Sequence, residues 1–337
     1  MAGDTYTFHD ASETIRRVRR APKACSVDGL RTNTVTLTCT DSEISSLAFE
    51  LGDGADSLAI ESARDGILVN GGDASDVVSL SNTLDLGGTL TVNAESIMLV
   101  DSGRPVVGIQ TTGDQFFGGS VNLMADAQLV SPANISFNST VDGTYALTVD
   151  AGATGTFADD VGGLSPLADL ATTSGGNTII GGGMVATLGD QVYGNPVLMN
   201  EDLTLLAATI AFADTVDSDA VTPVHLVAQA SETVNAFGAI GNISPLASMT
   251  VTTSEGLTVA THVQTTGSVN LTVLDAEPDG QDLVIDAAAS IHSAGGDILL
   301  RAGDDLVLQP NSSLMAYGIV DAQSDFGNAD PGVGTLV

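Results

Sequence analysis

The chain has 337 residues, 43% of them hydrophobic, and sets 42 acidic side chains against 9 basic ones for a formal net charge of -33. That apolar content is enough to bury a large core and excludes a disordered polymer, while the charge excludes nucleic acid and anionic lipid as partners of the body. There is no Trp, aromatics are 4%, and 38 residues are Gly, so burial falls to Val, Leu, Ile and Ala, side chains suited to narrow interiors stacked in layers.

The first 40 residues differ in composition from the rest. Six of the nine basic residues, Arg16, Arg17, Arg19, Arg20, Lys23 and Arg31, lie here and read as a solvated helix or tail rather than a nucleic-acid or heparin patch. Both cysteines, Cys25 and Cys39, flank a predicted hairpin with its turn at Asp28-Gly29. A disulfide and a pair of free thiols both fit this spacing. Residues 1–40 are therefore expected to form an atypical N-terminal segment or cap, and residues 41–337 the main body. No export signal is evident in this stretch, and no segment of the chain reads as a membrane span.

Leu51-Gly-Asp-Gly-Ala-Asp-Ser-Leu58 and Gly71-Gly-Asp-Ala-Ser-Asp-Val-Val78 follow. Both approximate the Gly-Gly-x-Gly-x-Asp-x-apolar-x repeat of calcium-binding β-rolls, in which glycines let the backbone turn, Asp supplies a carboxylate, and calcium bridges successive loops. Asp56 and Asp76 are 20 positions apart, as are Asp65 and Asp85, about one turn of a coil. Asp53, Asp56, Asp73 and Asp76 are the candidate calcium ligands. Leu51 and Ala74 stand where the motif wants glycine, and a degenerate coil using Asp as a turn former accounts for the same residues without metal. No motif requires any other cofactor.

Beyond residue 80 the chain is a series of short alternations. They run Thr89–Asn93, Ser120–Leu123, Tyr145–Val149, Asp202–Leu205, Ser268–Val273, Asp282–Ile285, Asp297–Leu300 and Asp305–Leu308, each a predicted strand with one face dry and the other carrying Thr, Ser or Asn. Gly-Gly, Asp-Gly, Ala-Gly and Asn-Pro stand between them as turns. Of the acids, 33 are Asp and 9 Glu, which places them in turns rather than on helix faces.

The chain also repeats itself. Ile135-Ser-Phe-Asn-Ser-Thr-Val-Asp142 returns as Ile210-Ala-Phe-Ala-Asp-Thr-Val-Asp217, and Ser165-Pro-Leu-Ala168 returns as Ser244-Pro-Leu-Ala247. Phe137 to Phe212 is 75 positions and Pro166 to Pro245 is 79, so about four residues are inserted near Ser218 to Pro223. The duplicated unit covers about 135–174 and 210–254. Its expected inner positions are Ile135, Phe137, Leu147, Val149, Leu164 and Leu167, matched by Ile210, Phe212, Leu226, Val227, Ile243 and Leu246. Strand texture, long repeat and scarce aromatics together predict an all-β parallel β-helix, a β-solenoid of about 20 residues per turn and about 14 turns.

These motifs, with Leu147-Thr-Val-Asp-Ala-Gly152, Val161-Gly-Gly-Leu-Ser-Pro-Leu-Ala168 and Thr187-Leu-Gly-Asp-Gln-Val-Tyr-Gly-Asn-Pro-Val-Leu198, resemble the repeats of large bacterial surface proteins related to filamentous haemagglutinin. The resemblance covers Leu84 to Val337. It implies a right-handed coil, an extracellular or cell-surface location, and a non-enzymatic adhesive or scaffolding role toward a surface glycan or protein ligand, as a segment of a longer polypeptide.

The alternative is a polysaccharide hydrolase using paired carboxylates. Asp159-Asp160, Asp304-Asp305 and the group Asp214, Asp217 and Asp219 are its candidates, but neighbours on a strand point to opposite faces. A lyase acting on acidic sugars would need cations, and past residue 31 only Arg64, Arg104 and Arg301 occur. His9, His225, His262 and His292 are isolated in sequence, without ligand spacing. With no Trp and only Tyr6, Tyr145, Tyr193 and Tyr317, an aromatic sugar platform is weakly signalled, Tyr193, ahead of Gly194-Asn-Pro196, being the best exposed candidate.

Overall fold

The computed structural model describes residues 4–10, 25–28, 34–39 and 46–337, apart from 102, 104–105, 174, 219–220, 276–279 and 328–334. The basic stretch 16–23 and Asp219 lie outside the described residues. Strands and turns account for the described chain, with no helix among them. Two compact units divide it, Met1–Leu167 and Ala168–Val337. Each is a β-solenoid of parallel ladders, and together they hold about 12 turns of about 23 residues.

In the first unit each turn lays one strand on each of three faces. One face stacks Asp56–Ile60, Val77–Ser81, Ser96–Val100 and Ser120–Leu123. A second stacks Ser46–Gly52, Gly66–Gly72, Leu90–Asn93, Gln115–Phe117, Ile135–Phe137 and Thr154–Phe157. Thr83–Leu86, Val106–Thr111, Asp126–Ser131 and Leu147–Ala151 form the third. Burial alternates along most strands, as in Asp56–Ile60 and Leu147–Ala151, because a strand presents successive side chains to opposite sides.

The N-terminal strands depart from this pattern. Asp4–Asp10 runs antiparallel to Asp56–Ile60 and to Thr34–Cys39, and Cys25–Asp28 pairs antiparallel with Thr34–Cys39, setting Cys25 opposite Cys39. An antiparallel pair laid on the first parallel strand occupies an edge that would otherwise template aggregation.

The second unit repeats the three-faced plan. Leu203–Ala207, His225–Ala230, Ser248–Thr253, Val269–Val273 and Ile298–Arg301 stack on one face. Gln191–Tyr193, Ile210–Phe212, Thr233–Ala236, Gly256–Val259 and Asp282–Ile285 stack on another. The eight alternations read from sequence beyond residue 80 each overlap a strand, most of them starting one or two residues ahead of it.

The expected turn of 20 residues holds only in places. Leu47 faces Ile67, and Ile109, Leu129 and Val149 follow one another at steps of 20. Ile67 faces Leu90, a step of 23, and in the second unit Leu271 faces Leu300, a step of 29. Ladder hydrogen bonds fix which residues face each other, while the corners between faces take up any extra length. The turns are thus fewer and longer than expected.

The interior is sorted by column. Phe117, Phe137 and Phe157 occupy successive turns of the first unit, all within 1% of full burial, with ring centroids 5.1 Å apart and interplanar angles of 11° and 3°. In the second unit Tyr193 stacks on Phe212 at 5.4 Å. Two residues before each stack begins stands a fully buried glutamine. Gln115 Nε2 donates to the carbonyls of Ile109 and Val130 at 3.2 and 2.9 Å, and Gln191 Nε2 donates to those of Val185 and Leu206 at 3.0 and 2.9 Å. The sequences are Thr111-Thr-Gly-Asp-Gln-Phe-Phe117 and Thr187-Leu-Gly-Asp-Gln-Val-Tyr193, a second pair of copies, 76 positions apart.

The copies differ in one atom of consequence. Tyr193 donates its hydroxyl to Gln191 Oε1 at 3.1 Å, whereas Gln115 Oε1, with Phe at position 117, is buried with no hydrogen-bond partner among the described residues. Phe117→Tyr is expected to supply that donor and stabilise the first unit by about 0.5–1.5 kcal/mol. A higher denaturation midpoint checks it; an unchanged or lower midpoint would show that the hydroxyl does not reach Gln115.

Candidate functional site

The most distinctive surface feature is a loop that occurs once in each unit. In the first, Val141 bridges Val161, Gly162 donates its N–H to Val141 O at 2.7 Å, and its φ of 72° favours glycine. The chain then turns over the side chain of Asp142. Asp142 Oδ1 accepts from the N–H of Leu164 at 2.8 Å and of Ser165 at 3.1 Å, so a carboxylate on a strand end holds the loop crest. In the second unit Val216 bridges Ile240, Gly241 donates to Val216 O at 2.7 Å with φ 70°, and Asp217 Oδ1 accepts from Ile243 and Ser244 at 2.8 and 3.0 Å.

Held this way, Leu164 is 89% exposed and Ile243 81% exposed, while Leu167 and Leu246, three residues on, are fully buried. This corrects the expectation that Leu164 and Ile243 face inward. The apolar periodicity is real, but both residues sit at the crest, where the Asp side chain takes the backbone N–H groups and turns the side chain outward. Val227 is likewise half-buried, outward on its strand, with Leu226 and Ala228 inward. The insertion near Ser218 starts from a fully buried residue, whose Oγ donates to Pro245 O at 2.9 Å, and re-emerges at the exposed Val221.

The acidic turns at 51–78 do stack. Gly52 faces Gly72, and Asp73 donates its N–H to Gly52 O at 3.2 Å. Gly72 has φ 108°, and a Cβ there would lie 2.0 Å from Gly52 O, so the glycine is required by both dihedral and space. Asp56 and Asp76 are buried, and Asp53 and Asp73 are exposed at the turn. Asp76 Oδ1 accepts the N–H of Asp56 at 2.9 Å, and Glu95 accepts that of Asp76 at 2.8 Å. The carboxylates of Asp76 and Glu95 therefore each tie their turn to the preceding one. Among the described residues no three His, Cys, Asp or Glu side chains group as a metal site would need. Asp65 and Asp85 do not stack, because the turn between them spans 23 positions; Asp85 is exposed on the strand Thr83–Leu86.

The paired acids considered for hydrolysis are held by backbone. Asp159 caps the N–H of Asp160, and Asp214 caps that of Thr215. Asp304 is buried and accepts from Gln281 N at 3.0 Å, while Asp305 accepts from Thr335 N at 2.7 Å. His225 Nδ1 pairs with Ser248 Oγ at 2.6 Å, and His262 Nδ1 pairs with Ser290 Oγ, both as neighbours on adjacent outward rungs. Tyr193 is 1% exposed, which corrects the expectation that it is the best exposed aromatic, and burial pushes its phenol well above the ordinary tyrosine range. It replaces an inward Phe of the column, with its hydroxyl satisfied internally. Compared with known protein families, curated proteins and solved structures, the chain matches none.

Proposed function

We propose that this chain is a non-enzymatic adhesive and scaffolding segment of a large secreted or cell-surface bacterial protein of the filamentous-haemagglutinin type, its coil right-handed as parallel crossovers of twisted strands are. The observation that carries this reading is the duplicated loop. Exposing a Leu or Ile side chain forgoes roughly 1.5–3 kcal/mol of burial, and here a carboxylate clamp fixes that exposure twice, in the same geometry. Such a residue makes sense as a contact for a partner. The engagement of Asp142, Asp159, Asp214, Asp217, Asp304 and Asp305 as acceptors of loop N–H groups supports a presenting role for the loops over acid–base work.

The test couples adhesion to chemistry. Beads coated with the whole chain are expected to stay on epithelial monolayers under flow and to release no reducing sugar from polysaccharides. The double variant Leu164→Ser, Ile243→Ser is expected to lose most of that retention while keeping its melting temperature, since both side chains are outside the core. Equal retention by the variant, or release of reducing ends by the native chain, would overturn the reading.

A further inference from the structure

One outward face of the first unit carries a groove that none of the preceding assignments uses. Its centre is Phe116, on the strand Gln115–Phe117 between the inward Gln115 and Phe117. Its rung neighbours are Thr91 on one side and Ser136 on the other, with Thr156 beyond. Phe116 is half-buried and borders two adjoining concavities. One, of about 430 Å³, is lined among others by Thr89, Asp114, Asn134 and Thr154. The other, of about 490 Å³, is lined among others by Asn70, Asn93, Gly118 and Asn138.

The walls are ordered planar amides and carboxylates. Asn134 donates through Nδ2 and its backbone N–H to Asp114 Oδ1 at 2.9 and 3.0 Å. On the other side Asn93 Nδ2 donates to Asn70 Oδ1 at 3.0 Å, and Asn70 Nδ2 to Glu50 Oε1 at 2.9 Å. The floor of this second wall is open because position 118 is glycine; a Cβ there would come within 2.9 Å of Asn93 Oδ1.

We infer that this groove binds a neutral, extended oligosaccharide, with Phe116 stacking on the C–H face of one sugar and the flanking Asn, Asp, Thr and Ser side chains pairing with hydroxyls. Three features favour that ligand class. An aromatic ring with polar groups on both sides is complementary to a pyranose, apolar on its faces and hydroxylated at its rim. The rungs repeat about every 4.8 Å along the stack, close to the length of one pyranose in an extended chain, so successive sugars meet equivalent rungs. Among the described residues the walls carry Asp114 and Glu95 and no cation, which disfavours anionic glycans.

The inference deepens the adhesive reading and rests on it. Titration calorimetry of the whole chain with cellohexaose, maltohexaose and chitohexaose, beside hexagalacturonate, tests it. At least one neutral hexasaccharide is expected to bind saturably and the hexagalacturonate not to bind. Phe116→Ala is expected to weaken binding by about tenfold or more and Phe116→Tyr to keep it, with both variants folded well above the titration temperature. Absence of saturable binding by all three neutral sugars, or equal affinity in Phe116→Ala, overturns the groove assignment. Bead adhesion that persists in that case leaves the adhesive reading standing, whereas cleavage of a bound hexasaccharide would keep the groove and remove the non-enzymatic role.

Discussion

Phe137→Ala is expected to destabilise the first unit by about 3–5 kcal/mol, the range for removing a fully buried aromatic side chain. Phe137 is the middle ring of three, with a neighbour at 5.1 Å on each side, so its loss removes both stacking contacts and leaves a void the stack cannot close. The rungs are pinned by backbone ladders to Gln115–Phe117 and Thr154–Phe157, and the outer rings cannot slide together without breaking them. In a solenoid each turn is stabilised by its neighbours, so the loss should be local. Hydrogen exchange should show amide protection falling most on the strands carrying Phe117, Phe137 and Phe157. Protection lost evenly across the chain, or a cost below about 1 kcal/mol, would show that the column is not a packing unit.

Gln191→Leu is expected to cost about 1–3 kcal/mol, chiefly from the buried Tyr193 hydroxyl left without its acceptor, since Leu206 O keeps the N–H of Thr187. The side chain supplies one amide to two carbonyls, Val185 O and Leu206 O, and accepts from Tyr193 Oη. Leucine is apolar and of comparable size, so lost hydrogen bonding dominates the effect over the change in shape. A double cycle with Tyr193→Phe makes the measurement specific. On the Gln191→Leu background the hydroxyl has lost its acceptor, so Tyr193→Phe should then be neutral or favourable. If the two changes add independently in chemical denaturation, the Gln191–Tyr193 hydrogen bond contributes nothing to stability. The first unit, where Gln115 faces Phe117, is the natural reference.

The fold was legible because it is written in short periods. Alternating Thr and apolar residues, Asp-rich turns and the returning Ile-x-Phe unit each specify parallel rungs, and all eight predicted segments beyond residue 80 overlap strands. What escaped was the assignment of faces. Leu164 and Ile243 look like core residues in the repeat, and only the carboxylates of Asp142 and Asp217 turn them outward. Tyr193 looked like a surface aromatic because Gly194-Asn-Pro196 follows it, yet its partner at the 76-residue interval is the inward Phe117. That interval shows in the sequence that the two residues share a face, and the ladder register shows that the face is the inner one. Phe116 was hidden for a related reason: with two adjacent phenylalanines, alternation says that one is outward but not which, until ladder register is known.

The uneven steps between rungs carry a last consequence. Val251, Leu271 and Leu300 are successive rungs of one ladder although 20 and 29 residues separate them. Position within a unit is therefore counted in rungs, and residues can be added at a corner without moving any other rung. Such a chain behaves as a ruler with exchangeable flags. A new epitope can be grafted at one mark, or an old one deleted, while the separations among all the remaining marks stay as they were.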